Sequence, residues 1–429
     1  MGNMSKFQVI ILGVFGILII VSVIIFSKYQ GGGVEQAEVS IWGNVNPEVF
    51  QSIISKTSLY NNEAYKISYS YKEEALFDDE YVEALASGNG PDLFLLPHDK
   101  IVKQKNKITL IPYDAFSERM FKDSFIEGSE IYLDPTGIVA LPVIVDPLVM
   151  YWSRKVFTDA KLTSPPKYWD EFYSLAGLIS KKDGALNIQK SLVSFGEYNN
   201  VSNAKAIISN LMMQAGTPIV QRFGDDTRSV MADSFEKPVI PGEAAVNFYT
   251  EFSNPVKPYY SWNRSMPLSQ TYFLSGDMAL YFGFASEIAL IQLKNPNLNF
   301  DVSSVPTSKD SGNNVSYGKF YGFAISRGSK NANAAFGVAS ILSSREGALA
   351  ISEALGVPPA RRDLLGTKAL DAYQAVFYES ALRSKAWLDP EPTATAKIFA
   401  NMIESITSGR ERTSAAVVKA SREITELFK

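Results

Sequence analysis

Apolar and polar positions change period repeatedly along the chain. Val39-Ser40-Ile41-Trp42 alternates as a half-buried strand does, and Asn46-Pro47 then offers an N-cap and a first-turn proline ahead of Phe50, Ile53 and Ile54 at helical spacing. Residues 65–71 alternate again. Asp79 is placed to cap a helix carrying Tyr81, Val82 and Leu85 on one face, Gly88 to end it, and residues 91–96 to follow as a continuous buried strand. Such strand-helix-strand units predict a parallel sheet covered by helices. Further strands are expected at 138–145, leading into 148–152, and at 300–305 and 320–325; the run 273–284 is strongly apolar around Gly276 and Gly283. Pro165-Pro166 opens a predicted helix with Trp169, Phe172, Ala176 and Ile179 inward. The carboxyl end carries helical stripes at Ile398, Met402, Ile403 and Ile406 and at Val417, Ala420, Ile424 and Leu427. For 429 residues, two α/β lobes fit better than one oversized sheet.

The amino terminus follows a different rule. Residues 9–26 contain no charge, and as a helix they would span roughly 27 Å, close to a bilayer's hydrocarbon core. The competing reading is a cleaved signal peptide, whose apolar region runs to only about 15 residues and ends in a small-x-small site. Gly31-Gly32-Gly33 matches that site poorly, so an uncleaved single-pass anchor (1–28) and a glycine-rich linker (29–37) are expected. Lys6 and Lys28 flank the span evenly and barely choose an orientation.

Composition narrows the chemistry. With no cysteine and one histidine, His98, the chain cannot build disulfides, thiolate nucleophiles or Cys/His zinc sites, nor attach a lipid through cysteine. A formal net charge of -4 leaves no cationic excess for a nucleic acid backbone. Neither a Walker motif nor a G-x-G-x-x-G turn occurs, and no metal or cofactor is called for. Glu73-Glu74 and Asp78-Asp79 could be imagined as the carboxyl pair of a surface glycosidase, but adjacent residues seldom face one cavity, and a solvated helix entrance is the plainer reading. His98 follows a buried strand, where α/β sheets bind ligands, and belongs to a binding loop rather than a catalytic one. Trp42, Tyr151, Trp262, Phe284 and Tyr321 lie at strand ends or in loops. Rings there can cover the apolar face of a sugar while carboxylates and amides bind its hydroxyls.

Several stretches share an order with one family. They are Val39-Ser40-Ile41-Trp42-Gly43-Asn44; Ala86-Ser87-Gly88-Asn89-Gly90-Pro91-Asp92 with Pro97-His98-Asp99-Lys100; Leu141-Pro142 with Asp146; Met150-Tyr151-Trp152-Ser153-Arg154-Lys155-Val156-Phe157; Pro165-Pro166-Lys167-Tyr168-Trp169-Asp170-Glu171-Phe172; Phe273, Gly276 and Met278-Ala279; and Val357-Pro358-Pro359 with Arg361. In this order the chain resembles the extracellular solute-binding proteins of ABC importers, family 1, the sugar-binding group that includes maltose-binding protein. The resemblance implies a two-lobe periplasmic-binding-protein fold (type II, Venus-flytrap), with 38–144 plus 324–368 in the N-lobe and 145–323 plus 369–429 in the C-lobe. It implies a binding protein, not an enzyme, that closes on a small polar solute, a sugar or oligosaccharide, and delivers it to ABC permease subunits. A surface sensor for a signalling receptor is the alternative. Trp42, Asn44, Asp99 and Lys100 would line the N-lobe wall and Asp146 the hinge; Glu197 and Tyr198 would face them. Phe284 and Ser286 stand where the family has a tryptophan, and Ile398 near another stacking position. Trp262, Tyr321 and Arg361 complete the expected ligand-binding set.

Overall fold

The computed structural model describes residues 36–224, 226–309 and 312–429; the expected anchor and most of the linker lie outside them. Among the described residues no helix is long and apolar enough to cross a membrane.

The alternating and apolar runs form the strands β1 (Ala37–Gly43), β2 (Tyr65–Tyr71), β3 (Leu93–Pro97), β4 (Leu141–Ser153), β5 (Ile188–Val193), β6 (Met278–Phe284), β7 (Phe300–Ser304) and β8 (Ser316–Ser326). Their order is β2-β1-β3-β8-β4-β6-β5, with β7 also on β4. β1 runs parallel to β2 and β3, as the strand-helix-strand pattern requires, whereas β8 is antiparallel to both β3 and β4. Asn46 caps the helix Pro47–Ser55 as the sequence suggests, its Oδ1 accepting the Glu48 N–H at 2.8 Å, and Phe50, Ile53 and Ile54 are buried.

β4 is one thirteen-residue strand, where the pattern suggested two, and at about 3.3 Å per residue it reaches some 43 Å. Its first half pairs with β8, through Leu141–Phe323 to Pro147–Gly318. From Leu148 onward its partners are β6 and β7. Pro147 sits at the changeover, where the missing N–H interrupts a ladder at the least cost. Gly322 sits beside the register shift in β8, where an added Cβ would lie 2.9 Å from the Leu141 carbonyl oxygen.

Burial separates two apolar cores along these long strands. One gathers side chains from Val39 to Val145, then Phe320 to Leu365, with Tyr378 and Ala381; the other gathers Leu148 to Tyr317, then Phe377 to Ile424. β4 and β8 therefore pass from one core to the other, and the helix Ala372–Leu382 packs on both. Three local expectations differ. The helix at Asp79 begins at Phe77, with Leu76 at its cap position, so Asp79 lies in its first turn rather than capping it, and Val82 faces solvent. The helix after Pro165-Pro166 runs Glu171–Ile179, leaving Trp169 just ahead of it although buried as expected. Leu427 is 37% exposed rather than inward.

Candidate functional site

The carboxyl ends of β1 and β3 and the middle of β8 meet beside the core changeover. Asn44 follows β1, the 98–100 segment continues β3 as a single 3-10 turn, and Tyr321 on β8 stands opposite Pro97 and Ile144 in the ladders. Asn44, Lys72, Glu74, Pro97, Lys100 and Tyr321 line a crevice of about 30 Å³, room for a water or two. Lys100 is not free: its Nζ lies 3.2 Å from Asp78 Oδ1, and Lys103 holds the other Asp78 oxygen at 3.0 Å. Burial works against the Asp78 charge, but the two lysines hold its carboxyl below the usual range. That carboxylate is an anchor for the binding loop, not a spare acid.

His98 is 1% exposed. Its Nδ1 accepts the Phe320 N–H at 3.2 Å, so the ring proton is on Nε2, which donates to the Tyr317 hydroxyl at 3.2 Å. Tyr317 in turn donates its backbone N–H to Asn210 Oδ1 at 2.9 Å. Burial pushes the imidazole down to about 4, with Asp99 opposing and Lys319 and Lys205 assisting. His98 thus positions the loop by tying β3 to β8, while Asp99 beside it remains partly open to solvent.

Asp146 is 6% exposed and occupies the hinge portion of β4. Its Oδ1 accepts the Ser286 N–H at 3.0 Å, which joins β4 to the turn after β6. Burial pushes its carboxyl up to about 6, against the Ser286 hydrogen bonds and the Lys319 charge and with help from Glu287. The turn is rigid because Glu287 accepts from the Phe284 N–H (2.8 Å), Asn203 (2.7 Å), Gln270 (2.8 Å) and the Tyr281 hydroxyl. Gly283 permits this: an added Cβ would stand 3.0 Å from Glu287 Oε1 and 2.7 Å from the Tyr281 ring. Lys319, opposite Asp146 in the β4–β8 ladder, lays its Nζ 4.3 Å from the Phe284 ring centre.

Asn44, Lys100 and Tyr321 are therefore brought together, as are Asp146, Phe284 and Ser286. Asp99 interacts electrostatically with Asp389 of the other core's segment, as does Tyr198, whose phenol burial raises. Glu197 is nearly buried; burial raises its carboxyl despite Arg264, 3.4 Å away. Three of the expected residues are engaged by other protein groups. Trp42 packs edge-on to Phe77 and Tyr81, with Lys72 Nζ 4.0 Å from its ring centre, so a cation covers the face a sugar would need. Trp262 is 0% exposed, its indole N–H on Asn200, because the loop carrying it folds into the second core. Arg361 pairs with Asp363 and the Ser343 carbonyl and lies against Phe125, on the N-lobe side and outside this constellation.

Two residues were overlooked. Lys319 is a lone charge inside an otherwise apolar strand, a signal the sequence does carry, since an unpaired charge in a buried run needs a reason. Lys205 is joined to Asp389 and Thr395, and no local pattern announces that pairing across 184 positions.

Residues 44–348 match the family model of the bacterial extracellular solute-binding proteins. The chain belongs to that family. Its members capture solutes and do not transform them. Among curated relatives of this solute-binding protein is the maltotriose-binding protein of Pyrococcus abyssi (strain GE5 / Orsay), 21% identical over 270 residues, 63% of this chain; the match spans about half, 53%, of that relative. A cyclo/maltodextrin-binding protein solved with maltotetraose superposes with a TM-score of 0.75 at 16% identity, covering 91% of this chain and 97% of the other. The sugar-binding protein MalE of Xanthomonas citri gives 0.74 at 15%, with the same coverage. The likeness establishes the two-domain α/β periplasmic-binding-protein fold.

Proposed function

We propose that this solute-binding protein captures a carbohydrate between its two lobes outside the cytoplasm and hands it to the membrane subunits of an ABC importer. The reading is carried by Asp146: a carboxylate at the changeover of a lobe-crossing strand, almost wholly buried, whose Oδ1 accepts the Ser286 N–H from the turn after β6. Such a group suits a hydroxyl donor that arrives with the solute and is shielded when the lobes close. The named relatives bind maltotriose, maltodextrins or sugars, which supports the substrate class.

In this reading 38–144 with 324–368 form one body and 145–323 with 369–429 the other, moving about β4 and β8. The crevice beside Asn44 is too small for a sugar, so admission requires the walls to part. A solute touching both walls then shifts the population toward the closed form. Asp99 and Asp146 accept hydroxyl protons, Asn44 and Tyr321 supply polar edges, and Tyr198 supplies apolar surface. A micromolar affinity needs about 8 kcal/mol, within reach of a few charge-assisted hydrogen bonds and ring contacts. The 9–26 segment holds the receptor near its permease and raises the effective concentration.

A thermal-shift screen of mono-, di- and oligosaccharides tests this. At least one raises the melting temperature of the wild type, and Asp146→Ala loses the shift. Stabilisation by peptides or polyamines alone would overturn the carbohydrate assignment while leaving the family intact.

A further inference from the structure

A cavity of about 520 Å³ contains none of the expected solute-binding residues. It is nevertheless walled by both lobes. Val102, Ile131 and Leu133 come from the segments around the first core, and Phe428 comes from the second; Leu388 packs against both. All five are only partly covered, so apolar side chains from distant parts of the chain converge on an open chamber. At its mouth Asp134, 8% exposed, is shared by two cations. Lys105 Nζ is 3.2 Å from Asp134 Oδ2, and Arg222, on a hairpin of the other lobe, is 3.7 Å from the same oxygen. Around the whole lining, the cationic side chains Lys105, Arg222, Arg228 and Lys429 face the carboxylates Asp134 and Asp226, so cations outnumber carboxylates beside an apolar floor.

We infer that this chamber is a second ligand site, for an amphipathic organic anion: one carboxylate or sulfonate head at Lys105 and Arg222, and an apolar body over Leu133, Leu388 and Phe428. The volume lies in the range of small-molecule sites. Because the walls belong to different lobes, occupancy responds to their relative placement, and by linkage the solute and the anion alter each other's affinity. This coupling rests on the lobe-closure reading; the site itself does not.

The test is calorimetric titration of the full-length protein, in detergent, with octanoate below its micelle concentration, and with 1-octanol as the neutral counterpart. The expected result is saturable 1:1 octanoate binding and at least tenfold weaker binding of the alcohol. Arg222→Glu, at an exposed position, loses at least tenfold in octanoate affinity. Lys56→Glu, whose side chain pairs with Glu353 elsewhere on the surface, retains it. Unchanged circular dichroism keeps the comparison on binding. Absence of saturable binding, equal binding by Arg222→Glu, or equal binding of the alcohol overturns the site. A saccharide that shifts the melting temperature but removes octanoate completely and competitively would place the anion in the solute cleft and overturn it too. Failure of every saccharide bears on the proposed function alone, since octanoate is measured without one.

Discussion

Asp146 and His98 titrate against each other, and the effect is measurable. Asp146 rises from the ordinary 3.8 to about 6 in the folded protein, so its folded form holds a proton that the unfolded chain has released. The stabilisation this gives is complete below pH 3.8 and lost as pH rises through 6. His98 falls from 6.5 to about 4, so the unfolded chain binds the proton first, and stability is lost as pH falls from 6.5 toward 4. Each shift is worth about 3 kcal/mol, and the signs are opposite over nearly the same window. The two contributions offset one another in the wild type.

Single substitutions uncover them. Asp146→Asn keeps an oxygen acceptor for the Ser286 N–H but cannot titrate. Relative to wild type it gains up to about 3 kcal/mol at pH 7, and the gain vanishes by pH 4. His98→Asn keeps an acceptor for the Phe320 N–H, and its stability relative to wild type improves by a similar amount as pH falls from 7 to 4. Urea unfolding at pH 4, 5, 6 and 7, taken as differences from wild type, cancels the background of other carboxylates. Flat difference curves for both variants would refute the assignment of buried, oppositely shifted groups at the hinge.

Other outcomes follow from the same contacts. Lys319→Met keeps the stem over Phe284 but removes the charge that favours ionised Asp146, so the pH midpoint of solute binding moves upward; an unchanged midpoint in calorimetric titrations contradicts the coupling. Trp262→Ala costs about 3–5 kcal/mol in denaturant unfolding as a fully enclosed ring is lost. Solute affinity of the folded fraction stays unchanged, and a specific affinity loss would return Trp262 to the cleft. Lys100→Met weakens the hold on Asp78, whose stabilisation is present above about pH 4 and lost below; the variant therefore loses less stability than wild type on acidification through that range.

The strand-helix-strand pattern was legible because burial repeats at fixed periods: Phe50, Ile53 and Ile54 had one reading, and β2 matches its alternating run end to end. The hinge was half legible. Its apolar residues stood out, but the partner change at Pro147 depends on strands more than 100 positions away. At the site, Asn44, Asp99 and Asp146 were expected only through the family resemblance, and they remain proposals. The fates of Trp42 and Trp262 were not legible, because an aromatic at a strand end looks the same whether solvent, a lysine or a core lies over it. Lys205 became visible only through Asp389.

The placement of β8 between β3 and β4 also bears on how the molecule is made. β3 is complete early in the chain, yet the strand that covers its free side arrives about 220 residues later. At ribosomal rates of 5–20 residues per second that interval is on the order of 10–40 s, during which the backbone edge stays open. Neither lobe can finish folding until the polymer has gone out to the other and come back, so the nascent protein spends its first seconds threadable, and in need of protection from its own kind.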